Sequence, residues 1–191
     1  MVGPLKRIFD KKIDKIQAKL VADKLSYKLS IENLRQEAAL IFTHFNVTQN
    51  LRKSINITDK AGRKFKIDLD SVPFMVQRKG DLIFPQIDKF MQLGQKEKAE
   101  NLIESVVATL VSRSRKGIYD GDAKIYKNIG CIDDKAMFID IGRMRDHPHM
   151  KETVKIKEDL LETTDKLKLF LQNKHPELAP FLQSQIETAT L

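Results

Sequence analysis

The segment GDAKIYKNIGCIDDKAMFIDIG, residues 121–142, contains the residue types that bind a divalent cation and a phosphate. Asp122 lies six positions before Asn128, and Asp140 begins the sequence Asp-Ile-Gly. Carboxylate and amide oxygens are the hard ligands that Mg²⁺ takes, and a second carboxylate can orient an attacking hydroxyl in phosphoryl transfer. If these three residues meet in the fold, they can form a metal and phosphate site.

Local patterns predict how the chain brings the three residues together. The apolar spacing of residues 96–116 predicts a long helix that ends at Gly117. Asn128 then begins a predicted strand, the Asp-Asp pair that follows forms a turn, and AMFID returns antiparallel. The hairpin within residues 117–145 would therefore gather the two aspartates and the asparagine at one end.

The other patterns predict a mainly helical α+β fold with a small antiparallel sheet. Residues 1–30 and 30–45 carry apolar side chains at helical spacing, and residues 54–69 alternate as a hairpin around DKAG. VPFMVQRKG predicts a short strand, a helix follows Gly80, and residues 151–189 predict one or two terminal helices.

Composition and charge restrict the class of protein. The chain has 191 residues, a single cysteine, Cys131, and no apolar run near the roughly 20 residues that span a bilayer. These features predict a soluble, cytoplasmic protein with neither a disulfide framework nor a transmembrane segment. The net charge of +8 implies anionic partners, and most of the excess lies in residues 1–30.

The amino-terminal segment has the pattern of a basic amphipathic helix. Its apolar stripe consists of residues spaced by three and four: Leu5, Ile8, Phe9, Ile13, Ile16, Leu20, Val21 and Leu25. One interpretation is that this stripe packs on the core and leaves the lysines in water. The alternative is that the helix binds a partner protein, nucleic acid or an anionic membrane.

The order and spacing of Asp122, Asn128 and Asp140-Ile141-Gly142 resemble the catalytic centre of protein-kinase-like and aminoglycoside-phosphotransferase-like enzymes. The resemblance implies a two-lobe architecture with ATP and Mg²⁺ as cofactors. Asp122 would be the catalytic aspartate, with Asn128 and Asp140 as metal ligands. Gly142 would complete the Asp-Phe-Gly element beside the cofactor, and Glu37 would be the glutamate that pairs with an ATP-anchoring lysine.

A closer likeness is to kinase-like proteins of chlamydia-like bacteria, which share a KGI-D-D-N-G pattern followed by Ile-Asp-x-Gly-Arg. LQNKHPELAPFL resembles their closing helix. By these resemblances, residues 1–79 would form a partial amino-terminal lobe of helices and a small sheet. Residues 80–191 would form a helical carboxy-terminal lobe, so that the whole is a truncated kinase-like architecture.

The chain also departs from the pattern of these enzymes. The family places its asparagine five residues after its aspartate, whereas the interval from Asp122 is six, and Asp120 is a rival candidate. Residues 1–29 predict helix and contain no glycine-rich phosphate cover. These departures favour a degenerate kinase-like binding or regulatory module that still accepts Mg²⁺ or nucleotide and acts with a protein partner. An active phosphotransferase with another phosphate cover, and a basic adaptor for nucleic acid or anionic membrane, are the alternatives.

Each candidate residue also has a purely structural interpretation. Aspartate and asparagine are common in turns because their side chains bond nearby backbone groups, which applies to Asp122, Asn128 and Asp140. Glu37 could equally be a solvated charge on a helix.

Overall fold

A computed structural model describes residues 4–191, with side chains described from residue 10 onward. The fold is α+β, with 54% helix, 19% strand and small antiparallel sheets. The predicted class, mainly helical α+β, is therefore confirmed. The chain forms two compact units: Ala39–Arg78 is one, and Lys79–Leu191 with the described part of Met1–Ala38 is the other.

The unit Ala39–Arg78 is made of short strands. It contains two antiparallel sheets of two strands each: β1 (Leu40–His44) with β4 (Phe74–Gln77), and β2 (Ser54–Thr58) with β3 (Lys64–Asp68). Gly62 has a φ of 78°, a left-handed conformation that glycine adopts without steric cost, and it lies in the turn between β2 and β3. The hairpin predicted for residues 54–69 is confirmed.

The helix predicted for residues 30–45 is wrong beyond its first turn. The preceding helix, α1 (Pro4–Asn33), ends early in this range, and the chain enters β1 after a turn. Of the apolar side chains at helical spacing in this range, Leu34 and Ala38 are buried, but Ile41 is 58% exposed. The β-branched and aromatic residues of β1 suit a strand, and hydrogen bonding to β4 outweighs their helical spacing.

The larger unit is built around the long helix that the sequence predicts for residues 96–116. Its helices are α1, α2 (Ile83–Gln92), α3 (Lys96–Arg115), α4 (Ile125–Asn128), α5 (Thr153–Lys174) and α6 (Ala179–Ala189). Apolar side chains of α3 are fully buried against α2, α5 and α6: Leu102, Ile103, Val106 and Leu110. Their removal from water is the main stabilising contribution of this core.

Two small sheets carry the loops of interest. The strands are β5 (Asp81–Leu82), β6 (Ile118–Asp120), β7 (Ile129–Ile132), β8 (Lys135–Phe138) and β9 (Met144–Asp146). β5, β7 and β8 form one antiparallel sheet, and β6 pairs with β9. The predicted return hairpin is confirmed as β7 and β8, although Asn128 ends the short helix α4 and does not begin the strand.

The interpretation that the amino-terminal stripe packs on the core is wrong for the side chains described. Ile13, Ile16 and Leu20 are 51%, 59% and 63% exposed. Three residues of the predicted stripe lie outside the described side chains: Leu5, Ile8 and Phe9. A helix of 30 residues extends about 45 Å, and the side chains of α1 that are buried from residue 10 onward, Ser26 and Ser30, lie in its last turns.

The predicted division at residue 79 joined α1 to the small sheet. In the structure α1 groups with the larger unit, through contacts near β9, and the strands of Ala39–Arg78 stand as their own unit. No helix within residues 4–191 has the length and apolar character needed to cross a bilayer.

Candidate functional site

The candidate site lies in the loop after β6 and in the segment after β8. α3 ends at Arg115, and Gly117, with a φ of 74°, reverses the chain into β6. β6 pairs with β9, and just beyond this pair Gly121 donates its N–H to the Arg143 carbonyl at 3.1 Å. The two segments that contain the candidate residues are therefore neighbours.

Asp120, the rival candidate, lies under the loop. It is buried, and its Oδ1 accepts the Asp122 N–H at 2.8 Å. Its Oδ2 lies 3.6 Å from Nη1 of Arg113, which is itself fully buried. Burial raises the pKa of Asp120, although the Asp122 N–H and the Arg113 charge oppose that rise. These contacts make Asp120 a support for the loop and leave Asp122 nearer the surface.

Asp122 is surrounded by cations. Its carboxylate lies 2.7 Å from Lys124 Nζ and 3.8 Å from both Lys127 Nζ and Arg143 Nη1. The hydrogen bond from Lys124 is the largest cause that lowers the pKa of Asp122, and the charges of the other two cations act in the same direction. Asp122 is therefore held ionised, in an environment that carries a surplus of positive charge.

Asn128 connects the two halves of the site. Its side-chain Nδ2 donates to the backbone carbonyl of Asp122 at 2.6 Å. Its own backbone carbonyl accepts the N–H of Ile139 at 2.8 Å and that of Asp140 at 3.4 Å. Hydrogen bonds through Asn128 therefore join Asp122 to Asp140, although 18 positions separate these aspartates in the sequence.

The Asp140-Ile141-Gly142 segment is fixed by a hydrogen bond within the segment and by hydrogen bonds from α1. Asp140 is exposed, and its Oδ1 accepts the Gly142 N–H at 2.9 Å. Ile141 is buried, and its carbonyl accepts hydrogen bonds from Oγ of Ser26 at 3.3 Å and of Ser30 at 3.1 Å. The last turns of α1 thus fix the backbone beside Asp140.

Gly142 lies directly against Tyr27 of α1. A Cβ at residue 142 would lie 2.9 Å from the Tyr27 hydroxyl oxygen, 3.2 Å from Tyr27 Cζ and 3.1 Å from Asp140 Oδ1. The pKa of Tyr27 is raised, first by burial and then by the negative charge of Asp140. The glycine of the Asp-Ile-Gly sequence therefore makes room for an aromatic ring of α1.

Glu37 does not join the other candidates. Its carboxylate Oε1 accepts hydrogen bonds from Ser112 Oγ at 2.6 Å and from Lys116 Nζ. Burial raises the pKa of Glu37, but these two bonds outweigh it, so that the pKa falls below the ordinary value. Its backbone carbonyl accepts the Phe138 N–H at 2.8 Å. Glu37 therefore connects the segment after α1 to α3 and β8, and the cation that it pairs with is Lys116.

The structure brings together Asp122, Asn128, Asp140 and Gly142, and it adds residues that the sequence analysis did not single out. Lysines two and five positions after Asp122 are visible in the sequence. Tyr27 carries no comparable signal, because it reaches Gly142 only through the packing of α1, more than 100 positions earlier in the chain.

Two cavities differ in their relation to the site. One of about 250 Å³ lies beside the loop, between Asp122 and Lys124 on one side and Glu162 and Thr163 of α5 on the other. A larger cavity of about 440 Å³ lies between α3 and α6 and is lined by none of the candidate residues. The smaller cavity therefore adjoins the Asp122 loop, but neither Asn128 nor Asp140 lines it.

Comparison with known proteins gives no assignment. No family model, curated protein or solved structure matches this chain. Within residues 4–191, histidine, cysteine, aspartate and glutamate side chains form no group of three or more placed to hold a metal ion. The class of protein therefore has to be proposed from the site itself.

Proposed function

We propose that this chain is a degenerate kinase-like binding or regulatory module that holds a Mg²⁺–nucleotide complex beside Asn128 and Asp140. The observation that carries the proposal is the run of hydrogen bonds from Asp122 through Asn128 to Asp140 and Gly142. These bonds make the backbones of the three residues neighbours, which supports the donor set of one amide and two carboxylates that the sequence pattern implies.

The donor chemistry fits Mg²⁺ when phosphate supplies further ligands. Asn128 uses Nδ2 to bond Asp122, so Oδ1 is the side-chain atom that can accept a cation. Asp140 uses Oδ1 for the Gly142 N–H, and its Oδ2 can serve as a second ligand. Mg²⁺ commonly takes one or two carboxylates, water and substrate phosphates, so few protein ligands are needed. The cations around Asp122 favour the phosphates.

Binding is favoured over catalysis because Asp122 is poorly suited to be a general base. A base works best when its pKa lies near the working pH, and the Lys124 hydrogen bond moves the pKa of Asp122 further down. The chain also has no GxGxxG sequence with which to cover phosphates. Catalysis of phosphoryl transfer depends almost entirely on positioning and electrostatics. The lack of a phosphate cover therefore removes a large part of the catalytic contribution.

The test is thermal unfolding with Mg²⁺, with ATP, and with both together. We expect the melting temperature to rise only with both, because a ligand that binds the folded state alone stabilises it by mass action. At 100 times Kd the gain is about 2.7 kcal/mol, or roughly 5–10 °C for a chain of this size. Asp140→Asn keeps the bond to Gly142 but weakens the metal site, and it should lose most of the shift.

Asp146→Asn is the matched control, because it removes the same charge from an exposed site on β9 and should keep the shift. If millimolar Mg²⁺ and ATP leave the melting temperature of the wild-type chain unchanged, the binding proposal fails. ATP turnover that Asp140→Asn abolishes would instead replace the regulatory module with an active phosphotransferase.

A further inference from the structure

α1 presents an aliphatic stripe that its own unit does not cover. Ile13, Ile16 and Leu20 are more than half exposed. At about 100° per residue, the three side chains lie within an arc of about 60° on one side of the helix. Farther along the helix, Ser30 and Ser26 pack on the body, and the same spacing places them about 70° and 110°, respectively, around the helix from the middle of this arc. The stripe is therefore exposed on a side of α1 that differs from the side on which these two buried serines lie.

Lysines border this stripe on both sides. Lys12 and Lys19 lie on one flank, and Lys24 lies on the other, as the helical spacing places them. Residues 10–28 contain twice as many lysines as aspartates, the lysines being Lys11, Lys12, Lys15, Lys19, Lys24 and Lys28. Long lysine side chains can lay their methylene stems along an apolar surface while the ammonium group stays in water. An apolar stripe flanked by lysines is suited to a surface where an apolar region meets anionic groups.

A second copy of the chain is a poor occupant of the stripe. If Ile13, Ile16 and Leu20 formed the seam of a coiled coil, lysines would take the flanking positions that set pairing. A parallel pair would bring Lys19 against Lys24 of the other copy, and an antiparallel pair would bring Lys12 against Lys19. Both arrangements place like charges together, so self-association is disfavoured.

Nucleic acid is also a poor occupant, because the stripe offers nothing for base stacking. Bases stack on aromatic rings, whereas the exposed side chains here are aliphatic. The one aromatic residue between residues 10 and 28 is Tyr27, which packs against Gly142. Phosphate contacts alone would leave Ile13, Ile16 and Leu20 in water.

We propose that α1 docks on the surface of an anionic lipid bilayer. The aliphatic stripe enters the boundary between headgroups and acyl chains, and the lysines lie at the level of the lipid phosphates and carboxylates. The negative potential of such a surface acts over about one Debye length, roughly 10 Å, so lysines on the far side of the helix contribute as well. Because the stripe is short and the charge is moderate, stable binding requires both the apolar and the electrostatic contribution. Neutral bilayers, which lack the second contribution, are therefore bound weakly.

Docking would also bring the candidate site to the membrane. Ser26 and Ser30 of α1 bond the Ile141 carbonyl, so the helix is joined to the segment that contains Asp140. The lipid proposal does not depend on nucleotide binding, and each can fail without the other.

The test is flotation of the full chain with vesicles of phosphatidylcholine alone and of phosphatidylcholine with about 30 mol% phosphatidylserine. We expect binding to the anionic vesicles only, with a steep loss at high salt. Lys12→Glu with Lys19→Glu should weaken partitioning about a hundredfold or more, and Leu20→Ser about tenfold. All three positions are exposed, so these variants should fold.

The matched controls lie on exposed positions of α5. Lys166→Glu with Lys168→Glu makes the same change in charge, and Leu169→Ser removes an equal apolar side chain. Both should bind anionic vesicles like the wild-type chain. The proposal is overturned if the wild-type chain ignores anionic vesicles at low salt, or if the α1 and α5 variants lose binding equally. Binding to labelled duplex DNA but not to vesicles, or a stable dimer in sedimentation, would also overturn it.

Discussion

Removal of the Asp159 carboxylate should destabilise the protein strongly, because it leaves a buried arginine without its main partner. Arg113 is fully buried, and its Nη2 bonds Asp159 Oδ2, which also accepts the Ser114 hydroxyl at 3.0 Å. Asp120 lies 3.6 Å from Nη1 and offers only partial compensation. Asp159→Ala therefore leaves a buried charge with poor pairing beneath the Asp122 loop.

The expected loss follows from the burial of this pair. Breaking a buried ion pair by removing one partner costs about 3–5 kcal/mol, and the hydroxyl of Ser114 loses its acceptor at a cost of about 1 kcal/mol. Because Asp120 remains nearby, we expect a total near the lower end, about 4 kcal/mol. For a chain of this length that corresponds to a fall in melting temperature of roughly 8–16 °C.

Two further variants, measured by calorimetry and urea unfolding, distinguish the effect of losing the charge from the effect of losing the side chain. Asp159→Asn keeps an acceptor oxygen but loses the charge, and we expect about half the loss. Asp165→Ala removes an exposed aspartate from the same helix and should change stability by less than about 0.5 kcal/mol. A loss below about 1 kcal/mol for Asp159→Ala would refute the claim that this ion pair supports the loop.

Three further predictions test the surroundings of the site. Gly142→Ala should cost about 1–3 kcal/mol in urea unfolding, and Tyr27→Phe in the same chain should recover part of it by removing the hydroxyl nearest the new Cβ. Glu37→Gln should lower the melting temperature at pH 7, and the difference from wild type should shrink as the pH falls below the ordinary value of 4.5 and through the lowered pKa. Cys131, whose pKa burial raises to about 11, should resist iodoacetamide at pH 8 until the protein unfolds.

The sign of the Glu37 prediction depends on the direction of its pKa shift. A carboxylate whose pKa is lower in the folded state stabilises that state above the unfolded pKa, and this contribution is lost as the pH falls. Glutamine cannot titrate, so the variant lacks the contribution at every pH. A difference in melting temperature that stays constant from pH 7 to pH 3 would contradict the link to Lys116 and Ser112.

Local spacing was enough to predict α3, the hairpin of residues 54–69 and the return hairpin at residues 129–138. In each case the period of the apolar residues and a turn sequence act over fewer than about 20 residues. The nearness of Asp122, Asn128 and Asp140 also followed from this local order. Their hydrogen bonds in the structure pass through the backbone of Asn128, Ile139 and Asp140, next to the ends of β7 and β8, and through the Asn128 side-chain amide.

Apolar spacing gave wrong predictions where the secondary structure or contacts of a segment depend on another segment that packs against it. Residues 30–45 have helical spacing, yet the chain leaves the helix after Asn33 and forms β1, because β4 offers hydrogen bonds to an extended segment. Glu37 was expected beside a nucleotide and lies on Ser112 and Lys116, a contact between residues about 75 positions apart.

The sequence by itself determined the long helix α3, the two hairpins, the basic charge of α1 and which candidate side chains carry oxygen atoms, because these depend on residue type and short-range order. The tertiary structure alone decided that Ile13, Ile16 and Leu20 stay exposed and that Tyr27 meets Gly142. A pattern of apolar residues predicts that one face of a helix is buried. It does not identify the surface that buries this face, because that surface belongs to a distant part of the chain or to another molecule.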